Sequence, residues 1–133
     1  MKKPLLQAAE VAQFNRRLRD RWLALREEIR NTLLRDDAER YADIAGEVHD
    51  LEDESLADLL TDVSHAEVTR DVEEIRDIET ALQRIAAGSY GICIRCDNAI
   101  DRDRLDAYPT AKRCLPCQQY HERNRLQALG PTL

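Results

Sequence analysis

Apolar residues recur at helical spacing through most of the first 88 residues, and this pattern constrains the fold more than any other feature. In the first stripe the steps are three or four residues, and neither Gly nor Pro interrupts before Gly46. The second stripe ends at Gly88, a residue typical of helix stops. The stripes consist of Val11, Phe14, Leu18, Trp22, Leu25, Ile29 and Leu33, and then of Leu56, Leu59, Leu60, Val63, Val68, Val72, Ile75, Ile78, Leu82 and Ile85.

These stripes predict two long helices. The first extends to about His49, although residues 36–49 are acidic and weakly periodic. The second, from about Ser55 to Ala87, would be roughly 50 Å long at about 1.5 Å per residue. Because such a helix needs a partner, we expect an antiparallel coiled-coil hairpin with a short bend near 49–54. Periodicity alone leaves a homodimer open, but the short linker favours intramolecular pairing and a monomer.

Charge is segregated along the chain, whose net charge is −6. Residues 1–35 hold nine Lys or Arg and four Asp or Glu, whereas residues 36–62 hold one Arg and eleven Asp or Glu. A nucleic-acid binder needs a basic surface to displace counterions from phosphates, so sequence-specific DNA binding is disfavoured. Since nowhere do about eighteen uncharged apolar residues follow one another, we expect a cytoplasmic protein without a membrane segment.

Four cysteines form two CxxC pairs, Cys93 with Cys96 and Cys114 with Cys117, with seventeen residues between the pairs. Cysteines of a cytoplasmic protein are expected to stay reduced, which favours metal binding over disulfides. The spacing predicts one structural zinc ion, because four thiolates leave no open position for water or substrate. A redox dithiol or a degenerate site is the alternative.

The predicted fold is mainly α-helical, and it ends in a third, short helix. That helix runs from about Leu115 to Leu129 and is expected to pack against the base of the hairpin through Leu115, Leu126 and Leu129. Gly130 and Pro131 would end it. The expected organisation is an N-terminal segment at 1–10, the hairpin at 11–88 with an acidic tip near 49–55, the zinc finger at 89–120, and the end of the last helix and the tail at 121–133.

A specific pattern surrounds the cysteines. It runs Gly88-Ser89-Tyr90-Gly91-Ile92-Cys93-Ile94-Arg95-Cys96, followed by Ile100, Arg104, Leu105, Ala107, Pro109, Thr110, Ala111, Cys114, Cys117 and Gln118. This pattern closely resembles the DksA/TraR zinc-finger family of bacterial transcription regulators. The resemblance implies a non-enzymatic protein that binds RNA polymerase, inserts a helical rod into the secondary channel, and modulates open promoter complexes without contacting DNA specifically.

The family's tip motif, DxxDxA, has a counterpart in the bend. Asp50 and Asp53 match the two aspartates, and Ser55 replaces the alanine. The resemblance therefore implies that Asp50, Asp53 and Ser55 form a polymerase-contacting tip. The residues by themselves leave another role open, since Ser55 or Asp53 could be the N-cap of the second helix. Both roles can hold at once.

The resemblance also bears on the nucleotide ppGpp, which DksA binds together with polymerase through basic residues. The corresponding positions here are Asp77, Tyr108 and Gln118, none of which is cationic, although Arg70 lies nearby in the sequence. A highly anionic phosphate ligand needs Lys or Arg partners. We therefore expect weak or absent dependence on ppGpp.

Two other functions stay open from the sequence. A Gre-like transcript-cleavage factor would use tip carboxylates to hold a metal ion that hydrolyses backtracked RNA. A zinc-stapled coiled-coil interaction module would use its acidic bend only for solubility. No catalytic triad, Gly-rich phosphate loop or open metal site is evident in the sequence, so an independent enzyme is not expected.

Overall fold

Helices dominate the computed structural model, which describes residues 6–36, 38–52, 55–63 and 65–129. In this part of the chain the β structure is an isolated antiparallel bridge between Ile92 and Ala99. The predicted mainly α-helical fold class is confirmed. The helices are α1 (Ala8–Asp36), α2 (Ala38–Asp50), α3 (Leu56–Leu59), α4 (Ala66–Ala87), α5 (Arg102–Ala107) and α6 (Leu115–Leu129).

Helices α1 and α4 form an antiparallel pair that is the frame of the molecule. Arg35 and Glu67 form an ion pair at one end, with 3.2 Å between Nη2 and Oε2. Nearer the other end, the indole N–H of Trp22 donates to Glu79 Oε2 over 3.2 Å. The predicted pairing within one chain is confirmed for α1 with α4, which carries the second stripe from Val68 onward. Fully buried side chains from both stripes fill the interface, among them Leu25, Ile29, Leu33, Val68, Ile75 and Ile78.

The connection between α1 and α4 differs from the predicted short bend near residues 49–54. Helix α1 ends at Asp36 instead of continuing to about His49, and α2 runs back along it. As a result, His49 Nδ1 lies 3.9 Å from Glu27 Oε1. The predicted helix from Ser55 to Ala87 is also interrupted, between α3 and α4. The physical reason is burial, because this connection adds Tyr41, Ala45, Val48, Leu56 and Leu60 to the same apolar core.

The described residues of the predicted acidic tip, 49–52 and Ser55, therefore lie beside the middle of the α1–α4 pair. Ser55 and Leu56 contact Glu79, whereas Glu67 marks the far end of the pair. Twelve residues of α4 separate these two glutamates, which is about 18 Å at about 1.5 Å per residue. In the structure these described residues do not lie at the far end of the α1–α4 pair, where the sequence analysis expected the tip.

Helix α6 has the predicted limits but not the predicted packing. The side chains of Leu115 and Leu126 are 53% and 69% exposed. The expectation that these two leucines pack against the base of the hairpin is wrong. The side chain of Leu129, and Gly130 and Pro131, lie outside what the structure describes. The leucines share one helix face, but Gln119 and Glu122 occupy the positions between them, so no continuous apolar stripe forms. Among the described side chains of α6, that of Cys117 in the first turn is buried.

None of the helices in the described ranges combines the length and apolar character needed to cross a membrane.

Candidate functional site

The finger begins where Gly88 ends α4. Gly88 adopts a left-handed conformation with φ 76°, and its N–H donates to Ile85 O. A residue without Cβ adopts this conformation without strain, so the predicted helix stop is confirmed. Just beyond it, Arg84 donates from Nη2 to the carbonyl oxygens of Ser89 and Ile92. The chain is thereby turned away from the helix axis into the finger.

Tyr90 fastens the finger to α1. Its ring packs on that of Phe14 with 5.7 Å between centroids. Its hydroxyl donates to Pro109 O over 2.8 Å, which ties together two parts of the finger. Burial raises the pKa of Tyr90 to about 12. The phenol is therefore neutral in the folded protein and acts as a hydrogen-bond donor within the interface.

Two ion pairs also connect α1 with α5. Arg17 Nη1 lies 2.8 Å from Asp106 Oδ1, and Arg102 Nε lies 2.8 Å from Glu10 Oε2. Both arginines are about half exposed, and exposed pairs contribute little stability. The buried Phe14–Tyr90 contact therefore carries more of the attachment.

The first CxxC forms a tight turn. The N–H of Cys93 donates to Asn98 O over 2.8 Å, and the N–H of Asp97 donates back to Cys93 O over 3.1 Å. Asp97 has φ 60°, a left-handed conformation that Asp tolerates better than most residues. The N–H of Ile94 donates to Lys112 O over 2.9 Å. That bond joins the two halves of the finger, so the second CxxC lies beside the first.

The four cysteines converge as the spacing predicted. Their Sγ atoms all lie within 4.8 Å of one another, and those of Cys96 and Cys114 are 3.7 Å apart. Tetrahedral zinc with Zn–S bonds of about 2.3 Å requires sulfur atoms about 3.8 Å apart. The cysteines are free thiols, not disulfides. The donor set therefore fits one zinc ion with no open coordination position.

The thiol electrostatics also fit a bound cation. Burial opposes ionisation of Cys93, but backbone N–H groups of Cys96, Cys114 and Arg95 lower its pKa to about 6. Burial raises the pKa of Cys114 to about 12. A divalent ion is needed to hold all four sulfurs as thiolates.

Arg95, inside the first CxxC, is a site residue that the sequence analysis did not assign. Its Nη1 donates to Cys117 Sγ over 3.6 Å, and its guanidinium lies 3.8 Å from the centroid of the Tyr120 ring. Arg95 thereby connects the first turn of the finger with α6. The sequence does place a cation, Arg95, between two predicted zinc ligands. It does not indicate that Arg95 contacts Tyr120, because this aromatic residue is distant in the sequence.

Of the residues predicted to form the tip, Asp50 is the exposed last residue of α2, and Asp53 lies outside the described residues. Ser55 is the N-cap of α3, because its Oγ accepts the N–H of Asp58 over 3.2 Å. The capping role left open for Ser55 is confirmed, although the helix that it caps is short. The same hydroxyl donates to Glu79 Oε1 over 3.0 Å, so Ser55 faces inward.

Glu79 is the second residue that the sequence analysis missed. Its carboxylate accepts from Ser55 Oγ, from the N–H of Leu56 and from Trp22 Nε1, over 3.0, 3.0 and 3.2 Å. One side chain of α4 therefore holds both α1 and the start of α3. The sequence offered no signal, because Glu79 is one of many acidic residues and its partners are far from it along the chain.

The three positions that the resemblance relates to ppGpp have separate surroundings. Asp77 lines a cavity with Arg84 and Lys112, and burial raises the pKa of Asp77. Tyr108 is 63% exposed and lines a different cavity, beside the start of α6. Gln118 Nε2 donates to Glu122 Oε1 over 3.2 Å. Gln118 lines neither of these two cavities.

Comparison with known proteins agrees with the finger geometry. Residues 88–123 match the family described as the prokaryotic dksA/traR C4-type zinc finger. A relative from Caulobacter vibrioides, named RNA polymerase-binding transcription factor DksA, is 32% identical over 126 residues, covering 90% of this chain and 81% of the relative. An uncharacterised Aquifex aeolicus protein is 38% identical over 66 residues, and this match spans only 43% of that protein.

The fold also has a counterpart among solved structures. A chain from Chlamydia trachomatis, described as an RNA polymerase binding protein and transcriptional regulator, aligns with a TM-score of 0.51 and 24% identity. The alignment covers 91% of this chain and 96% of that one, and it supports the fold alone. Through its match with the Caulobacter relative along most of both chains, and through its four-cysteine zinc finger, this chain belongs to the DksA family.

Proposed function

We propose that this protein is a non-enzymatic regulator of transcription that binds RNA polymerase in the cytoplasm. The observation that carries the proposal is the similarity along 126 residues to a relative named as an RNA polymerase-binding transcription factor. The closed four-thiolate site supports a structural role for zinc, because it leaves no position for a substrate. The chain would act by binding, with the finger as a rigid base for the helices.

We further propose that the acidic segment, residues 36–62, makes the functional contact inside the secondary channel of RNA polymerase and modulates open promoter complexes. Asp50 is exposed, and residues 36–62 carry eleven Asp or Glu against one Arg. Such a segment is complementary to a basic surface. Asp50 and Asp53 would supply carboxylates, while Ser55 would take part mainly by shaping the start of α3.

Dependence on ppGpp should be weak or absent. Asp77, Tyr108 and Gln118 offer no positive charge, and the carboxyl group of Asp77 would repel phosphate when ionised. Lys112 and Arg84 line the same cavity as Asp77, but Arg84 already donates to the carbonyl oxygens of Ser89 and Ile92. Transcription measured with and without ppGpp should give nearly the same response to the protein.

Binding is tested by co-purification of the full-length zinc-loaded protein with core RNA polymerase. A second assay measures the effect of the protein on transcription from a ribosomal RNA promoter. This effect should be at least tenfold smaller for the double variant Asp50→Asn, Asp53→Asn than for the wild type. Asp43→Asn, at another exposed aspartate of α2, is the matched control and should behave as the wild type. Failure of the wild type to co-purify with polymerase would instead favour an unrelated interaction module.

The mode of action is tested on stalled, backtracked transcription complexes. The proposal expects no RNA cleavage above background when the protein is added, because binding alone is required. Cleavage that depends on Asp50 and Asp53 and on added Mg²⁺ would support the Gre-like alternative and contradict this proposal.

A further inference from the structure

We infer that Arg95 is a positioning residue that couples retention of zinc to the direction of α6. Its guanidinium lies between Cys117, a predicted zinc ligand, and the ring of Tyr120 in the second turn of α6. The metal site and the helix therefore depend on the same side chain, and each should stabilise the other. This coupling is independent of the partner that the protein binds.

Helix α6 needs such a contact because little else fixes its direction. It has 15 residues and is about 22 Å long at about 1.5 Å per residue. The side chains of residues 119–127 are all exposed, and burial begins only at Gln118 and Cys117 in the first turn. A helix without a buried face gains little from packing. Contacts near its start must then hold it at a fixed angle to the finger.

The helix register places both partners of Arg95 on one face of α6. Cys117 and Tyr120 are three residues apart, so their side chains are neighbours on the helix surface. One guanidinium can therefore donate from Nη1 to Cys117 Sγ over 3.6 Å while its carbon lies 3.8 Å from the centroid of the Tyr120 ring. A planar guanidinium suits both contacts, because its N–H groups lie in its plane and its flat face stacks on an aromatic ring.

The charge of the metal site explains why Arg95 favours bound zinc. Four thiolates exceed the charge of one zinc ion by two negative charges. Water compensates this excess least at the buried sulfurs, those of Cys93 and Cys117. Arg95 contacts both of them, since its backbone N–H donates to Cys93 Sγ over 3.4 Å and its guanidinium donates to Cys117 Sγ. The second contact also supplies a positive charge beside the site.

The two contacts of the guanidinium reinforce each other. A thiolate at Cys117 attracts the guanidinium and keeps it over the Tyr120 ring, and the ring in turn keeps the guanidinium near the sulfur. By linkage, the position of α6 raises zinc affinity by the same factor by which zinc favours that position. Because Tyr120 is 41% exposed, the contact with its ring should contribute only about two- to fivefold.

The contribution of Arg95 to the metal site is tested by competition for zinc between the full-length protein and a chromogenic chelator. Arg95→Ala should bind zinc at least tenfold more weakly. Arg95→Lys keeps the charge but not the planar face, so it should give an intermediate affinity. The matched control is Arg113→Ala, at another cation that lines the same cleft as Arg95, and it should change the affinity less than twofold. Equal losses in the two alanine variants would overturn the inference.

The coupling is tested at Tyr120 with the same zinc measurement. Tyr120→Leu, which keeps a good helix former, should weaken zinc binding about threefold. Tyr120→Phe keeps an aromatic face and should behave as the wild type. In the Arg95→Ala background, Tyr120→Leu should cause no further loss. The same loss in both backgrounds would show that Tyr120 acts without Arg95, and it would overturn the coupling.

The direction of α6 is measured by ¹⁵N relaxation at saturating zinc, with circular dichroism to show that α6 stays helical. Backbone order parameters of residues 119–127 should be about 0.85 in the wild type and in Tyr120→Phe, and below about 0.6 in Arg95→Ala and Tyr120→Leu. Those of residues 89–112 should stay high in every variant. A rigid α6 in Arg95→Ala would overturn the inference. Loss of order in the finger as well would also overturn it, because Arg95 would then support the finger as a whole.

Discussion

The indole N–H of Trp22 donates to the carboxylate of Glu79 over 3.2 Å and so links α1 with α4 by a polar contact beside the core. Trp22 is only 8% exposed, and a buried indole N–H needs an acceptor. The other hydrogen bonds of the same carboxylate, with Ser55 and Leu56, extend this link to α3.

A double-mutant cycle should detect the link. Trp22→Phe and Glu79→Gln should each destabilise the protein, and their effects should be non-additive by about 1 kcal/mol, within the usual range for contacting residues. Urea unfolding followed by circular dichroism gives the free energies. Trp22→Phe combined with Glu73→Gln is the matched control and should be additive. Additivity within about 0.3 kcal/mol in the Glu79 cycle would argue against the contact.

Attachment of the finger should depend on Phe14 more than on the neighbouring ion pair. Phe14→Ala should cost about 3–5 kcal/mol, because it removes a buried ring from the contact with Tyr90. Asp106→Ala removes the partner of an exposed arginine and should cost less than about 1 kcal/mol. Thermal and urea unfolding provide the comparison. Equal losses in the two variants would show that electrostatics carry the attachment.

Metal removal should unfold the finger before the helices. We expect one zinc ion per chain by atomic absorption, and its removal by a chelator should collapse the amide NMR signals of residues 89–117 while those of α1 and α4 persist. Cys96→Ser should bind zinc at least tenfold more weakly, since it removes one of the four thiolates. Unchanged finger signals in the metal-free protein would contradict this prediction.

Stability should fall at high pH because of Tyr90. Burial raises its pKa to about 12 in the folded protein, above the value of about 10 for an unfolded chain. Between these two pH values, the Tyr90 hydroxyl keeps its proton in the folded state and loses it in the unfolded state. The ionisation of Tyr90 therefore leaves the free energy of unfolding unchanged below a pH of about 10. Between a pH of about 10 and about 12, that free energy decreases by at most roughly 3 kcal/mol.

Tyr90→Phe is the control for this pH effect. It loses the hydrogen bond with Pro109, at a cost of about 1 kcal/mol near neutral pH, but should show a smaller loss of stability between pH of about 10 and 12. Parallel pH profiles for the two proteins would show that Tyr90 is not the responsible group.

The exposed leucine of α6 should contribute little. Leu126→Ser should change the unfolding free energy by less than about 0.5 kcal/mol, because the side chain is 69% exposed. Leu25→Ala, at a fully buried position of α1, should cost about 2–5 kcal/mol. A large loss in the Leu126 variant would mean that α6 packs against the protein in solution, as the sequence analysis expected.

The residues of the zinc site were predictable because their signal is local. Each CxxC contains its own turn, and the separation of Cys96 from Cys114 leaves enough chain to bring the pairs together. The support around the site was not predictable in the same way. Arg95 and Tyr120 meet only because α6 starts beside the first CxxC, and Glu79 acquires its role only when α1 and α3 reach it.

By itself the sequence determined the helical stripes, the stop at Gly88 and the four-thiolate site, since each follows from residue spacing over one or a few turns. Only the tertiary structure decided where the described residues of 38–52 and 55–63 lie. Their apolar side chains can be buried against each other or against α1 and α4, and both arrangements satisfy the same periodicity. The choice depends on contacts such as that of Ser55 with Glu79, which join residues distant in sequence and leave no mark on the local pattern.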